Sequence, residues 1–187
     1  MVIMVKRMLL LSSSLMIMCS CCINERNTES SYSNYNRISG CKMDSTINEF
    51  SLMTPMDLDS IFILHVDNYI VNDFQYGEGI YVSNVSENEF VFMKFNCGRA
   101  SQELDAFILS DSIPSNFIRS RASRFVSTNG AYIGMNKMDF IKSYFNDNES
   151  NPRFNSIYVQ YDSINSLYNK YYFCNDTLRV IEIGYDW

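Results

Sequence analysis

The chain has one histidine, one tryptophan, three prolines and seven glycines in 187 residues. With His65 as the lone imidazole, a Ser-His-Asp triad has only one residue to turn on. No GxSxG elbow surrounds a serine, and no glycine-rich phosphate loop occurs. Beyond the Cys19-Ser20-Cys21-Cys22 run, no CxxC pair and no Cys/His ligand spacing is present, which argues against a zinc site or a thioredoxin-type centre. Cations are the minority: 15 Lys and Arg face 21 Asp and Glu, for a net charge of −6. Such a chain lacks the clustered positive charge that a phosphate backbone requires, so nucleic acid is not an expected partner. Nothing in the sequence calls for a cofactor or a metal ion. Long apolar runs are missing too. The densest, Met8 to Met18, is interrupted by Ser12 to Ser14 and reaches about half of the roughly 20 residues that a membrane-spanning helix needs.

What is there begins at the N-terminus. Lys6 and Arg7 precede the apolar run, which ends in Cys19-Ser20-Cys21-Cys22. A charged start, a short apolar stretch and a small residue at the cleavage point describe an export signal. A cysteine directly after the small residue is the mark of a bacterial lipoprotein signal. Cys19 follows the bulky Met18 and Cys22 follows Cys21, whereas Cys21 follows Ser20. Residues 1–20 therefore read as a lipoprotein signal peptide, with Cys21 as the lipidated residue. Acyl chains hold a protein to a membrane without spanning it, at about 0.8 kcal/mol per buried CH₂. Glu25, and the lack of Asp just after Cys21, point away from inner-membrane retention and toward the outer membrane.

Loss of Lys6 and Arg7 with the leader takes the net charge from −6 to −8. Residues 21–45 read as a flexible tether, because Ser, Asn, Glu and Arg dominate and too little apolar surface is available to fold. Residues 46–187 are expected to form one domain. Four further cysteines remain, Cys22, Cys41, Cys97 and Cys174, and an oxidising compartment permits bridges among them. Three pairings are open, and spacing does not choose. Cys97 and Cys174 both fall near predicted strand ends.

The pattern in 46–187 is α+β, mainly antiparallel sheet with one or two helices. Strands are predicted at Ser60 to Asp67, Asn68 to Phe74, around Ile80-Tyr81-Val82, at Glu89 to Phe95 and at Leu104 to Leu109. The best helix is Asn136 to Phe145, with Asn136 as N-cap and Asp139 at capping-box spacing. Met138, Ile141 and Phe145 define its predicted apolar face, broadened by Tyr144. Strands at Ser156 to Tyr161, Tyr168 to Cys174 and Leu178 to Tyr185 follow. The last two are joined by Asn175-Asp176-Thr177, residues typical of a tight turn.

The run Gly130-Ala131-Tyr132-Ile133-Gly134-Met135-Asn136-Lys137-Met138 resembles a Gly–hydrophobic–Gly–Met turn that leads into a helix in small envelope lipoproteins. BamE-like and beta-lactamase-inhibitor-protein-like domains carry it. The likeness covers 125–187 and includes the terminal hairpin, Tyr171-Tyr172-Phe173 then Leu178 to Ile183. The resemblance implies a helix docked on a sheet and a protein-binding role, and it names no substrate. Asn146 to Asn151 departs from the usual Gly-Pro helix exit.

Other residues carry competing readings. His65 and Asp67 would share a strand face, but a metal or acid–base centre needs ligands from elsewhere. Arg119, Arg121 and Arg124 form a basic cluster that either meets an anionic partner or lipid head group, or pairs with nearby acids. Tyr158, Tyr161, Tyr168, Tyr171, Tyr172 and Tyr185 either pack across strands or present a binding surface. Asp followed by Ser or Thr recurs at Asp44-Ser45, Asp59-Ser60, Asp111-Ser112, Asp162-Ser163 and Asp176-Thr177. This resembles an O-glycosylation acceptor pattern of exported bacterial proteins, with Ser45 and Ser112 the expected exposed sites. The sequence is thus read as a lipid-anchored, non-enzymatic envelope protein that binds a protein or surface component. An inhibitor or immunity-type lipoprotein is the first alternative, and a hydrolase using His65 the second.

Overall fold

A computed structural model describes residues 41–96, 103–145, 155–160 and 167–185. The signal peptide, Cys21, Cys22, most of the tether, Cys97 and Tyr161 lie outside the described residues. Two short strands, β1 (Thr46–Ile47) and β2 (Phe50–Ser51), pair with each other. Helix α1 (Leu58–Phe62) and a 3₁₀ turn (Val66–Tyr69) follow. Then come β3 (Val71–Asp73), β4 (Gly77–Ser83), β5 (Phe90–Phe95), β6 (Leu104–Ser110) and β7 (Ile118–Arg119). Helix α2 (Lys137–Tyr144) precedes β8 (Ser156–Gln160), β9 (Leu167–Cys174) and β10 (Thr177–Tyr185). The fold is α+β, as the sequence pattern indicates.

The main sheet runs β3-β4-β5-β6-β10-β9-β8, with every neighbour antiparallel, and β7 joins β4 in parallel. It is two meanders fused where β10 pairs with β6, in register Ile181↔Leu109. The central strands explain their own position. β5 reads Phe-Val-Phe-Met and β6 Leu-Asp-Ala-Phe-Ile-Leu, so both must be covered on both faces, and both are buried throughout these runs. β9 alternates instead: Asn169, Tyr171 and Phe173 turn inward while Tyr168, Lys170 and Tyr172 stay half-exposed.

One face of the sheet carries the main core, with Ile80, Val91, Met93, Phe107, Ile181 and Ile183. α2 closes it. Phe140 stacks on Tyr144 at 4.1 Å and meets Tyr171 and Phe173 at 4.7 and 5.3 Å between centroids. The opposite face holds a smaller cluster, Phe92, Ala106, Ile108 and Val180, roofed by Tyr76, Tyr81 and Tyr172.

Several expectations hold. Asn136 caps α2 by accepting from the Met138 N–H at 2.9 Å. Asn175 and Asp176 both adopt positive φ, which sets the turn between β9 and β10. Gly130 and Gly134 have φ of 95° and 90°, the left-handed backbone their turns require.

Others do not. Ser60 to Asp67 is not a strand. Leu58, Phe62 and Val66 recur every four residues, the helical period, and face the core. Asp57 accepts from the Ser60 N–H and hydroxyl, and Asp59 accepts from the Val66 N–H at 2.9 Å. These side chains give the backbone partners that a strand would have supplied. Asn68 to Phe74 keeps only three strand residues. On α2, Met138 is 43 % exposed and the buried face is Lys137, Phe140, Ile141 and Tyr144.

Candidate functional site

Among the described residues, Asp44 is a buried polar point that lies in the segment composition assigns to the tether. Its side chain is fully buried. Oδ1 accepts from the backbone and side-chain N–H of Asn129 at 2.7 and 2.9 Å. Oδ2 accepts from Tyr144 and Tyr171 hydroxyls at 2.7 and 2.6 Å. The Asp44 backbone is held as well: its N–H donates to Asn169 Oδ1 at 2.6 Å, and its carbonyl accepts from Asn169 Nδ2 at 2.9 Å. Residues 41–45 therefore belong to the folded part: the Lys42 N–H donates to the Tyr144 carbonyl, and Cys41 bridges to Phe145.

Electrostatics at this point are one-sided. Burial, then the Asp44 charge, pushes both Tyr144 and Tyr171 well above the ordinary tyrosine value. Both hydroxyls are protonated donors at any physiological pH. Burial and the same carboxylate push the Cys41 thiol up to about 12, which favours its neutral form. A substrate has no route to a carboxylate with no exposed surface. The arrangement can hold the chain together.

The second feature is the opposite in character. Phe74 is as exposed as a side chain can be, at 107 % of its reference area. It sits in the β3–β4 hairpin, where Asp73 pairs with Gly77 across a three-residue loop. The loop is rigidly set. Asp73 Oδ1 accepts from the Gln75 and Tyr76 N–H groups at 2.9 and 3.1 Å, and Oδ2 accepts from the Tyr81 hydroxyl at 2.7 Å. Tyr76 and Tyr81 pack on Phe92 at 5.9 and 4.8 Å. Burial, then the hydrogen bond to Asp73, raises Tyr81 above its usual range. Phe74 is thus an apolar side chain presented to solvent on an ordered support.

The remaining sequence-predicted residues are placed as follows. His65 is exposed at the start of the 3₁₀ turn, with no capping bond from its side chain. Asp67 lies in that turn and is exposed. Among the described residues no group of three His, Cys, Asp or Glu could hold a metal ion. Arg119 pairs with Glu87. Arg124 Nε lies 3.3 Å from buried Glu89, and its guanidinium sits 4.3 Å over the Tyr132 ring. Arg121 is exposed. Arg121 and Arg124 line an open cleft of about 450 Å³ together with Asn48, Glu49, Ala122 and Ser123. Tyr171 belongs to the core, while Tyr168 and Tyr172 sit on the other face. Ser45 and Ser112 are both exposed. Cys41 and Cys174 are free thiols. No helix among the described residues is long and apolar enough to cross a membrane.

Sequence reasoning missed Asp44 and Phe74. Nothing local marks Asp44, because its partners lie 85 to 127 positions away. Phe74 had a signal: Asp73 and Gly77 bracket it, a pattern that makes a turn rather than a continued strand. Comparison with known proteins found no matching family model, no matching curated protein and no matching solved structure.

Proposed function

We propose that the protein is a lipid-anchored component of the bacterial cell envelope, attached through Cys21, that acts without catalysis by holding a protein partner on the Phe74 hairpin. The observation that carries this reading is the full exposure of Phe74 on a loop fixed by Asp73. A solvated phenylalanine adds nothing to folding, and an ordered loop lowers the entropy lost on docking. Aromatic anchors that enter a partner's pocket dominate binding energies. The partner is a protein that offers an apolar pocket for one aromatic ring. The likeness of 125–187 to BamE-like and beta-lactamase-inhibitor-protein-like domains supports the same class of role. The leader supports an outer-membrane address.

The test uses the full chain in its native cell, with a photo-crosslinking phenylalanine analogue at position 74. One covalently captured protein, which then binds the purified chain, is the expected result. Phe74→Ala should weaken that binding about 30-fold or more, the loss of a central anchor. Unchanged affinity in Phe74→Ala, or no capture, overturns the hairpin as the docking point. The partner's identity separates a scaffold from an inhibitor: an enzyme whose activity falls on binding marks the latter. Cys21→Ala should move the protein from the membrane to the soluble fraction.

A further inference from the structure

Two side chains of opposite charge line one cleft without pairing. The cleft of about 450 Å³ contains both Glu49 and Arg121, with Ser123 and Arg124 beside them. Glu49 and Arg121 are exposed, and neither has an ion-pair or hydrogen-bond partner among the described residues. Other charges of the molecule do pair. Arg119 meets Glu87, Arg179 meets Asp111, Lys94 meets Asp105 and Lys170 meets Glu182.

The walls are fixed. Asn48 donates from Nδ2 to the Arg124 carbonyl at 3.1 Å and accepts the Val126 N–H on Oδ1 at 2.8 Å, which ties the segment bearing Glu49 to the segment bearing the arginines. Glu89 and Tyr132 hold the Arg124 guanidinium in place. Glu89 engages Nε, and no second carboxylate pairs with Arg124 among the described residues. A simple anion would be drawn by Arg121 and repelled by Glu49. A simple cation would meet the reverse. A molecule that carries both signs is attracted at each end.

We propose that this cleft binds a small zwitterion, an ammonium joined by a short linker to a carboxylate or phosphate. The oxyanion lies against Arg121, supported by Arg124 and the Ser123 hydroxyl, and the ammonium lies against Glu49. Two guanidinium groups give an oxyanion charge-assisted, forked hydrogen bonds. Free amino acids and phosphoethanolamine head groups share this chemistry. The inference stands apart from the Phe74 hairpin and does not depend on it.

The experiment follows the side-chain Nε–Hε signals of Arg121 and Arg124 by NMR in the full chain, at constant ionic strength. Glycine and O-phosphoethanolamine are the zwitterions, and acetate and methylamine are the one-signed controls. Saturable shifts with a zwitterion, at about tenfold lower concentration than with either control, are expected. Glycine above O-phosphoethanolamine assigns the site to amino acids, and the reverse order assigns it to head groups. Arg121→Gln should abolish the response. Glu49→Gln should remove the preference over acetate while leaving acetate binding equal or stronger, which a misfolded variant would not show. Equal titration by acetate and glycine, or no saturable shift with either zwitterion, overturns the proposal.

Discussion

The Tyr171 hydroxyl donates a 2.6 Å hydrogen bond to Asp44 Oδ2, joining residues 127 positions apart. Tyr144 shares the same oxygen from the other side, at 2.7 Å. One carboxylate thereby connects the segment entering the domain, the closing helix α2 and the inner strand β9. Asp44 has no ion pair among the described residues, and hydrogen bonds to both of its oxygens offset the cost of burying it.

Removing Asp44 should therefore cost more than removing any surface acid. Asp44→Ala takes the acceptor from two N–H groups of Asn129 and leaves the buried Tyr171 and Tyr144 hydroxyls only Asn169 Oδ1 at 3.1 Å and Ser127 Oγ at 2.8 Å. A loss of about 3 kcal/mol is expected, or a fall in Tm of about 10 °C for a domain of this size. A fragment starting at residue 46 should lose at least as much, and one starting at 41 should match the full chain. Calorimetry on these three variants and the full chain decides it. A shift within about 1 °C for Asp44→Ala would show that the clamp adds no net stability.

The same clamp, together with Tyr81, makes stability depend on alkaline pH. Tyr144 and Tyr171 hold their protons more tightly in the folded chain than in the unfolded one, where the ordinary value is 10.0. Cys41 rises from 9.0 to about 12. For each group the unfolded chain releases its proton first. Their contribution is thus complete below these ordinary values and is lost as pH rises from them toward the raised values of the folded chain. Stability should hold level to about pH 9 and then fall, each resisting tyrosine adding about 1.4 kcal/mol per pH unit to the slope. Tyr144→Phe with Tyr171→Phe should lower that slope to what Cys41 and Tyr81, whose protons are also held more tightly, still supply. Urea midpoints from pH 8 to 11 check it, and an unchanged slope in the double variant removes the clamp as its cause.

How much of this was legible in the chain depends on the range of the interaction. β5, β6, β9, β10 and α2 announce themselves, because dense apolar runs, strict alternation and an N-cap are local patterns. Asn175 and Asp176 do the same for the last turn. The stretch Ile61 to Leu64 misled because four β-favouring residues in a row outweigh a four-residue repeat, Leu58, Phe62 and Val66, visible only across the window. The apolar face of α2 was misplaced by one position: Met138 looks apolar and Lys137 does not. Yet Lys137 reaches Asp176 at 2.8 Å with its stem buried. Asp44 was illegible in principle, since a polar residue in a polar segment carries no sign of partners a hundred residues on. The cleft was half legible, its arginines from spacing and Glu49 only from the fold.

Ile63 carries a cost that one substitution should relieve. It ends α1 in the left-handed region, φ 57° and ψ 43°, with its N–H donating to the Asp59 carbonyl. A β-branched residue pays about 1–2 kcal/mol for that backbone, and its side chain, 78 % exposed, recovers little by burial. Ile63→Gly removes the steric conflict and adds unfolded-state entropy, so a net gain of about 0.5–1 kcal/mol is expected. Ile63→Asn should gain part of it. A higher urea midpoint at constant m-value is the readout. A loss of stability in both variants would mean that the exposed isoleucine contributes a contact of its own.

Gly79 tests the opposite case, a glycine kept for space. It lies in β4 opposite Lys94, with ordinary strand pairing. A Cβ there would run into the Met93 carbonyl of β5 and would lie 2.5 Å from the Phe92 ring. The ring could swing aside, but the carbonyl belongs to the sheet and moves only with the backbone. Gly79→Ala should therefore destabilise by about 2 kcal/mol, despite the entropy that alanine removes from the unfolded chain. Phe92→Leu in the same chain should relieve only the ring contact. Most of the penalty should therefore survive in the double variant, measured against Phe92→Leu alone. Full rescue would place the whole conflict in the ring and leave the β4–β5 backbone free to adjust.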